Sequence, residues 1–140
     1  MLRRATGPGL LFDVTCLAGL IAYAVATSEP GLRRLIGIGI ATPAFSLWML
    51  ARFQLGDSFT ARAAPRDLVT HGLYSRVRNP IYLFGQLGIV GLYLISGWLW
   101  VLIVLGLTIP LQIYRARVEA RALDEKFGER YRRYKARAWF

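Results

Sequence analysis

Four apolar runs, separated by short polar breaks and one long one, organise the chain. Leu10 to Ala26 is the first, closed by Thr27-Ser28-Glu29-Pro30-Gly31. Leu32 to Leu50 is the second, and Arg52 ends it. The third runs from Ile81 to Ile95, and Ser96-Gly97 parts it from the fourth, Trp98 to Tyr114. Each holds 15 to 19 residues, adequate or slightly short for a hydrocarbon core of roughly 30 Å at about 1.5 Å per residue. The third and fourth runs stand so close that they must form a helical hairpin with a two-residue turn. Beyond Tyr114 the apolar positions 118, 122, 123, 127, 131, 134 and 138 recur at three- and four-residue steps. That spacing predicts an amphipathic helix over 115–138, bent or interrupted near Gly128. The expected fold is an all-α integral membrane protein: one domain over 1–140, with about four transmembrane helices and a C-terminal amphipathic helix.

Composition agrees. The chain is 55% hydrophobic with a mean hydropathy of +0.39, yet carries a net charge of +10. The two properties separate along the sequence, as in a polytopic membrane protein. Four spans place the N-terminus, the loop from Arg52 to Asn79 and the C-terminal tail on one side. That side holds 16 of the 18 Lys and Arg residues, Arg3, Arg4, Arg62 and Arg66 among them; the other holds Arg33 and Arg34. The asymmetry makes the basic side cytoplasmic. Both termini are therefore expected in the cytoplasm, and a bacterial cytoplasmic membrane is the expected location. Tyr93, Trp98 and Trp100 would form an aromatic belt at the far interface. Nucleic-acid binding is not expected, since the basic residues gather at membrane junctions.

Several motifs carry no chemistry. Gly37-Ile38-Gly39-Ile40-Ala41 superficially resembles a dinucleotide fingerprint, but it lies inside an apolar helix with no strand before it. Gly85, Gly88 and Gly91 recur every third residue on the third run, a pattern for close helix–helix approach in lipid. Cys16, the single cysteine, supports neither a disulfide nor a cysteine-based metal site and reads as a packing residue. The first run has a short basic start but no small-residue cleavage pattern after it, so a cleavable signal peptide is not expected.

The chemistry concentrates in two polar segments. His71-Gly72-Leu73-Tyr74-Ser75-Arg76-Val77-Arg78-Asn79-Pro80-Ile81-Tyr82 is a basic hinge entering the third run. A positive-inside loop with interfacial tyrosines would look similar, but polar loops at helix entrances are also where membrane proteins place function. Asn79 suits an N-cap, and Pro80 suits the first helical position because it needs no donor. In the tail, Glu119 lies close to the membrane, where a carboxylate is costly without a partner. An ion pair with Arg115, Arg117 or Arg121, and a bound cationic ligand, are both open explanations.

Together the two segments resemble the isoprenylcysteine carboxyl methyltransferases and the related membrane phospholipid methyltransferases. The hinge is similar to their Gly-x-Tyr-x-x-x-Arg-His/Asn-Pro-x-Tyr motif. The tail, from Glu119 through Leu123, Phe127, Gly128 and Tyr131 to Tyr134, is similar to their Glu-Glu-x-x-Leu-x-x-x-Phe-Gly-x-x-Tyr-x-x-Tyr ending. The resemblance spans residues 52–135. It implies methyl transfer from S-adenosylmethionine to a lipophilic, membrane-embedded acceptor: the carboxylate of a prenylated thioether, a phospholipid amine, or a similar nucleophile. It further implies that Leu68, Val69, Tyr74, Asn79, Pro80, Ile81, Tyr82 and Glu119 line the cofactor, within a loop and helix entrance spanning 62–82 and the C-terminal helix. Arg115 would face the acceptor beside the transferring methyl.

The chain departs from the family pattern in places. Ala120 replaces the second glutamate of the pair, and Asn79 stands for the commoner histidine. With about four spans the substrate cavity is small or is completed by another subunit, so a homo-oligomer is open. His71, the one histidine, reads as a loop residue rather than a base. Two other readings compete: a membrane reductase of the sterol-reductase type using NADPH, and a non-enzymatic scaffold whose basic tail binds anionic lipid.

Overall fold

The computed structural model describes residues 8–55 and 68–139, with side chains from Phe12 onward. Arg3, Arg4, Arg62, Arg66 and the start of the expected cofactor loop, residues 62–67, lie outside the described residues. Among the described residues five α-helices form: α1 Pro8–Thr27, α2 Leu32–Leu55, α3 Pro80–Ser96, α4 Leu99–Phe127 and α5 Glu129–Arg137. A 3-10 turn, Gly72–Ser75, lies between α2 and α3. No strand occurs among the described residues; one isolated parallel bridge pairs Val77 with Trp139. Two helices, α2 and α4, are long and apolar enough to cross a membrane, and two shorter apolar stretches are Phe12–Thr27 and Pro80–Ser96.

The antiparallel contact of α2 with α3 is the spine of the bundle, and its register is set by small residues. A Cβ at Gly37 would lie 2.7 Å from the Ile95 nitrogen. A Cβ at Gly91 would lie 2.6 Å from the Ala41 nitrogen. Further along, Gly88 faces the Phe45 ring and Gly85 faces Trp48. Gly37 thus serves close backbone approach, as Gly91 of α3 does. Ala24, Ala41, Leu92 and Ile95 form a buried cluster at the far end, with Leu20, Val25, Ile38, Phe45 and Trp98 against it. At the opposite end Asp13 of α1 pairs with Arg52 of α2 at 2.7 Å, and the Arg52 guanidinium lies over the Trp48 ring.

The α3–α4 turn is short because Gly97 adopts φ +68, closing α3 with its nitrogen donating to the Tyr93 carbonyl at 2.7 Å. Trp98 stacks on Trp100 and contacts Tyr23 at this end. Helix α4 does not stop where the apolar run ends at Tyr114. It continues for more than three turns to Phe127, because Ala116, Ala120 and Ala122 with Arg, Glu and Leu are strong helix formers and no breaker intervenes before Gly128. Gly128, at φ +47, ends α4 and turns the chain into α5. Leu99, Ile103, Leu107 and Leu111 stand exposed along one stripe of α4.

Candidate functional site

The hinge is held from three directions. From α2, Gln54 Oε1 accepts the Leu73 N–H at 2.8 Å and packs against Gly72, whose φ of +60 and lack of a Cβ permit the approach. From α5, the Tyr134 hydroxyl donates to the Tyr74 carbonyl at 2.6 Å. From the C-terminal end, the Arg78 N–H donates to the Trp139 carbonyl at 3.0 Å, and the Trp139 N–H donates to the Arg76 carbonyl. Asn79 occupies the N-cap position of α3 and Pro80 the first helical position, yet the Asn79 side chain makes no capping bond. Its carbonyl instead receives the N–H groups of Tyr82 and Leu83 at 3.1 Å each.

Between the hinge, α3, the middle of α4 and α5 lies a cavity of about 570 Å³. Its polar lining comprises Arg78, Asn79, Tyr82, Glu119, Tyr131 and Tyr134, together with Arg117 and Lys135. Leu83, Ile109, Ile113, Ala116 and Leu123 supply the apolar wall, and Gln86 and Gln112 stand among them. In the cavity wall the Tyr82 hydroxyl donates to Glu119 Oε1 at 2.6 Å. This bond joins the hinge segment to the tail segment, 37 residues apart. Arg115 Nη2 approaches the same oxygen only to 4.0 Å. Glu119 is therefore held chiefly by a tyrosine, with the arginine as a looser neighbour. Arg78 Nε is buried in the wall and has no hydrogen-bond partner among the described residues. A buried donor without a partner is costly unless a ligand supplies the acceptor.

The expected site residues fall into two groups. Asn79, Tyr82 and Glu119 line the cavity, and Ala120, where the family pattern has a second glutamate, also stands on its wall. Leu68, Tyr74 and Pro80 are buried behind that wall. Val69 and Ile81, both half-buried, stand outside it, as does Arg115 with its side chain 41% exposed. Tyr74 nevertheless stays within electrostatic reach. Burial pushes its phenol well above the usual range, with Tyr134, Glu119 and Tyr82 adding to the rise and Arg52 opposing it. Burial, reinforced by Tyr131 and opposed by Arg78, pushes the Tyr134 phenol up to about 12. His71 is exposed at the start of the 3-10 turn, away from the cavity.

Arg78, Gln86, Gln112, Tyr131, Tyr134 and Lys135 are cavity residues that the sequence pattern does not single out as site residues. Five of them carry a signal. Arg78 stands inside the hinge motif, Tyr131 and Tyr134 inside the tail motif, and Gln86 and Gln112 are polar interruptions of apolar runs. The sequence matches the model of a family described as phospholipid methyltransferase over residues 33–130, which takes in α2, the hinge, α3, α4 and the start of α5. No curated protein and no solved structure matches the chain.

Proposed function

The chain belongs to the phospholipid methyltransferase family, and on that premise we propose that it transfers a methyl group from S-adenosylmethionine to a lipid acceptor held in the bilayer. The observation that carries the reading is the Tyr82–Glu119 hydrogen bond, which brings the two family motifs together on one cavity wall. The wall has the donor set that the amino-acid end of this cofactor needs. Arg78 Nε has no protein acceptor among the described residues and suits the carboxylate. Glu119 suits the ammonium group or the ribose hydroxyls, and Tyr82 and Tyr131 offer aromatic surface beside them.

The cofactor supplies a methyl on a sulfonium, already activated for transfer. What remains for the protein is alignment and exclusion of water. Tyr82 fixes the rotamer of Glu119 through the 2.6 Å bond. Asn79, freed from capping, presents its amide to the cavity. Leu83, Ile109 and Ile113 line the apolar side and are each 38% to 47% exposed, an opening through which an acyl or prenyl chain enters from the membrane. Arg115 stands next to Glu119 outside the wall and acts on the acceptor side, orienting its polar group rather than holding the cofactor.

A four-span topology belongs to the same proposal. Hydrogen bonds join the hinge to Trp139, so both lie on one side of the membrane. The chain between them then crosses an even number of times, and α3 and α4 cross as a pair. The Asp13–Arg52 ion pair likewise sets the start of α1 level with the end of α2. With the charge asymmetry, these contacts support both termini facing the cytoplasm.

The test is methyl transfer in isolated membranes containing the protein, supplied with S-adenosylmethionine labelled on the methyl. Label entering the lipid extract with the native protein, and falling at least tenfold with Glu119→Gln, is the expected result. Lipid labelling that is unchanged by Glu119→Gln overturns the site assignment.

A further inference from the structure

The apolar half of the cavity carries a polar layer that the cofactor does not need. Gln86 lies one turn beyond Tyr82 along α3, and Gln112 lies two turns before Glu119 along α4; both line the cavity. At about 1.5 Å per residue they stand roughly 6 to 10 Å from the Tyr82–Glu119 pair, toward the membrane. Gln86 Nε2 donates to Thr108 Oγ1 at 3.0 Å, and Thr108 passes its own proton to the Val104 carbonyl at 2.8 Å. That arrangement joins α3 to α4 and leaves a second Gln86 N–H unused. Gln112 has no hydrogen-bond partner among the described residues. Helix joining therefore accounts for Gln86 in part and for Gln112 not at all, although an amide among Leu83, Ile109 and Ile113 is costly without a partner.

Resting on the methyltransferase reading, we propose that Gln112, with Gln86, is a specificity pair that donates hydrogen bonds to a carbonyl of the acceptor. The acceptor then carries an ester or amide carbonyl just below its headgroup, as a diacyl lipid does. A prenyl chain has hydrocarbon at that depth and leaves Gln112 and the second Gln86 N–H unpaired. Sites built to hydrogen-bond a group reject the analogue lacking it more strongly than apolar pockets reject a changed methylene.

The test compares binding of a diacyl aminophospholipid with that of its dialkyl ether analogue, which keeps the headgroup but has no carbonyl. Both are titrated into the detergent-solubilised protein, with S-adenosylhomocysteine titrated separately. The native protein is expected to prefer the diacyl lipid by about tenfold, the worth of one hydrogen bond. Gln112→Leu is expected to abolish the preference by weakening the diacyl lipid alone, with S-adenosylhomocysteine affinity unchanged. Gln112→Glu, which keeps the size but replaces the donor amide, is expected to lose the preference as well. Equal binding of the two lipids by the native protein, or an equal loss of both in Gln112→Leu, overturns the proposal. Failure to bind S-adenosylhomocysteine, with the lipid preference intact, counts against the cofactor reading and leaves the carbonyl pair standing.

Discussion

At the scale of single residues, the site turns on how one carboxylate is held near the membrane. Glu119 accepts a 2.6 Å bond from Tyr82 while Arg115 stays at 4.0 Å, so the two neighbours have separable roles. Tyr82→Phe removes the bond that orients Glu119 and is expected to weaken S-adenosylhomocysteine binding about fivefold. That is less than the roughly tenfold of a well-shielded hydrogen bond to a charged group, because the site opens to solvent. Arg115→Ala is expected to lower methyl-transfer turnover at least tenfold while changing S-adenosylhomocysteine affinity by less than about threefold. A matching loss in affinity would place Arg115 with the cofactor instead. The cavity residues legible in the sequence are those for which chemistry and motif coincide: Asn79, Tyr82 and Glu119. Leu68 and Pro80 belong to the same loop and helix entrance, but burial makes them supports behind the wall. Tyr131, Tyr134 and Lys135 reach the cavity because Gly128 turns α5 back toward the hinge, and spacing along the chain does not encode that fold-back.

At the scale of elements, apolar patterning locates all four long helices, and the two-residue turn between the third and fourth runs is observed. The spacing beyond Tyr114 also predicts the helix there and its interruption at Gly128, both observed; what patterning does not reveal is that this helix is continuous with the fourth run, because hydropathy records where lipid ends rather than where helix propensity ends. The glycine stripe on α3 marks the α2 contact, and the structure ranks its members. A Cβ at Gly91 meets backbone of Ala41, whereas one at Gly88 meets the Phe45 ring, a side chain rather than backbone. Gly91→Ala is expected to destabilise by about 1–3 kcal/mol, and Gly88→Ala by less. Thermal unfolding in detergent checks the order, and a reversed order would contradict the α2–α3 register. Element α5 has its own pH dependence. Its Tyr134 phenol must be neutral to donate to the Tyr74 carbonyl, and its pKa is raised from 10.0 to about 12 in the fold. A raised folded value means stabilisation that is complete below pH 10 and lost as pH rises toward 12. Stability measured across that window is expected to fall less steeply in Tyr134→Phe than in the native protein. Equal slopes would show that the Tyr134 contact does not contribute.

At the scale of the whole molecule, three distant segments meet at one end of the bundle: the end of α2, the hinge and the C-terminal turn of chain around Trp139. On the proposed reading, this convergence sets the cavity at the membrane surface with its apolar side toward lipid, the geometry a small chain needs to bring a soluble cofactor to a lipid acceptor. It also makes topology testable. In a Cys16→Ser background, single cysteines replacing His71 and Ala136 are expected to react with a membrane-impermeant maleimide only after permeabilisation, and one replacing Glu29 in intact cells. If only α2 and α4 crossed, positions 71 and 136 would label from opposite sides. The most direct measurement of the central claim is calorimetric titration of the solubilised native protein with S-adenosylhomocysteine, beside Glu119→Gln and with NADPH as the competing ligand. Saturable binding that Glu119→Gln weakens at least tenfold, with no heat from NADPH, is the expected result. Binding of NADPH alone, or S-adenosylhomocysteine affinity indifferent to Glu119, would contradict the account.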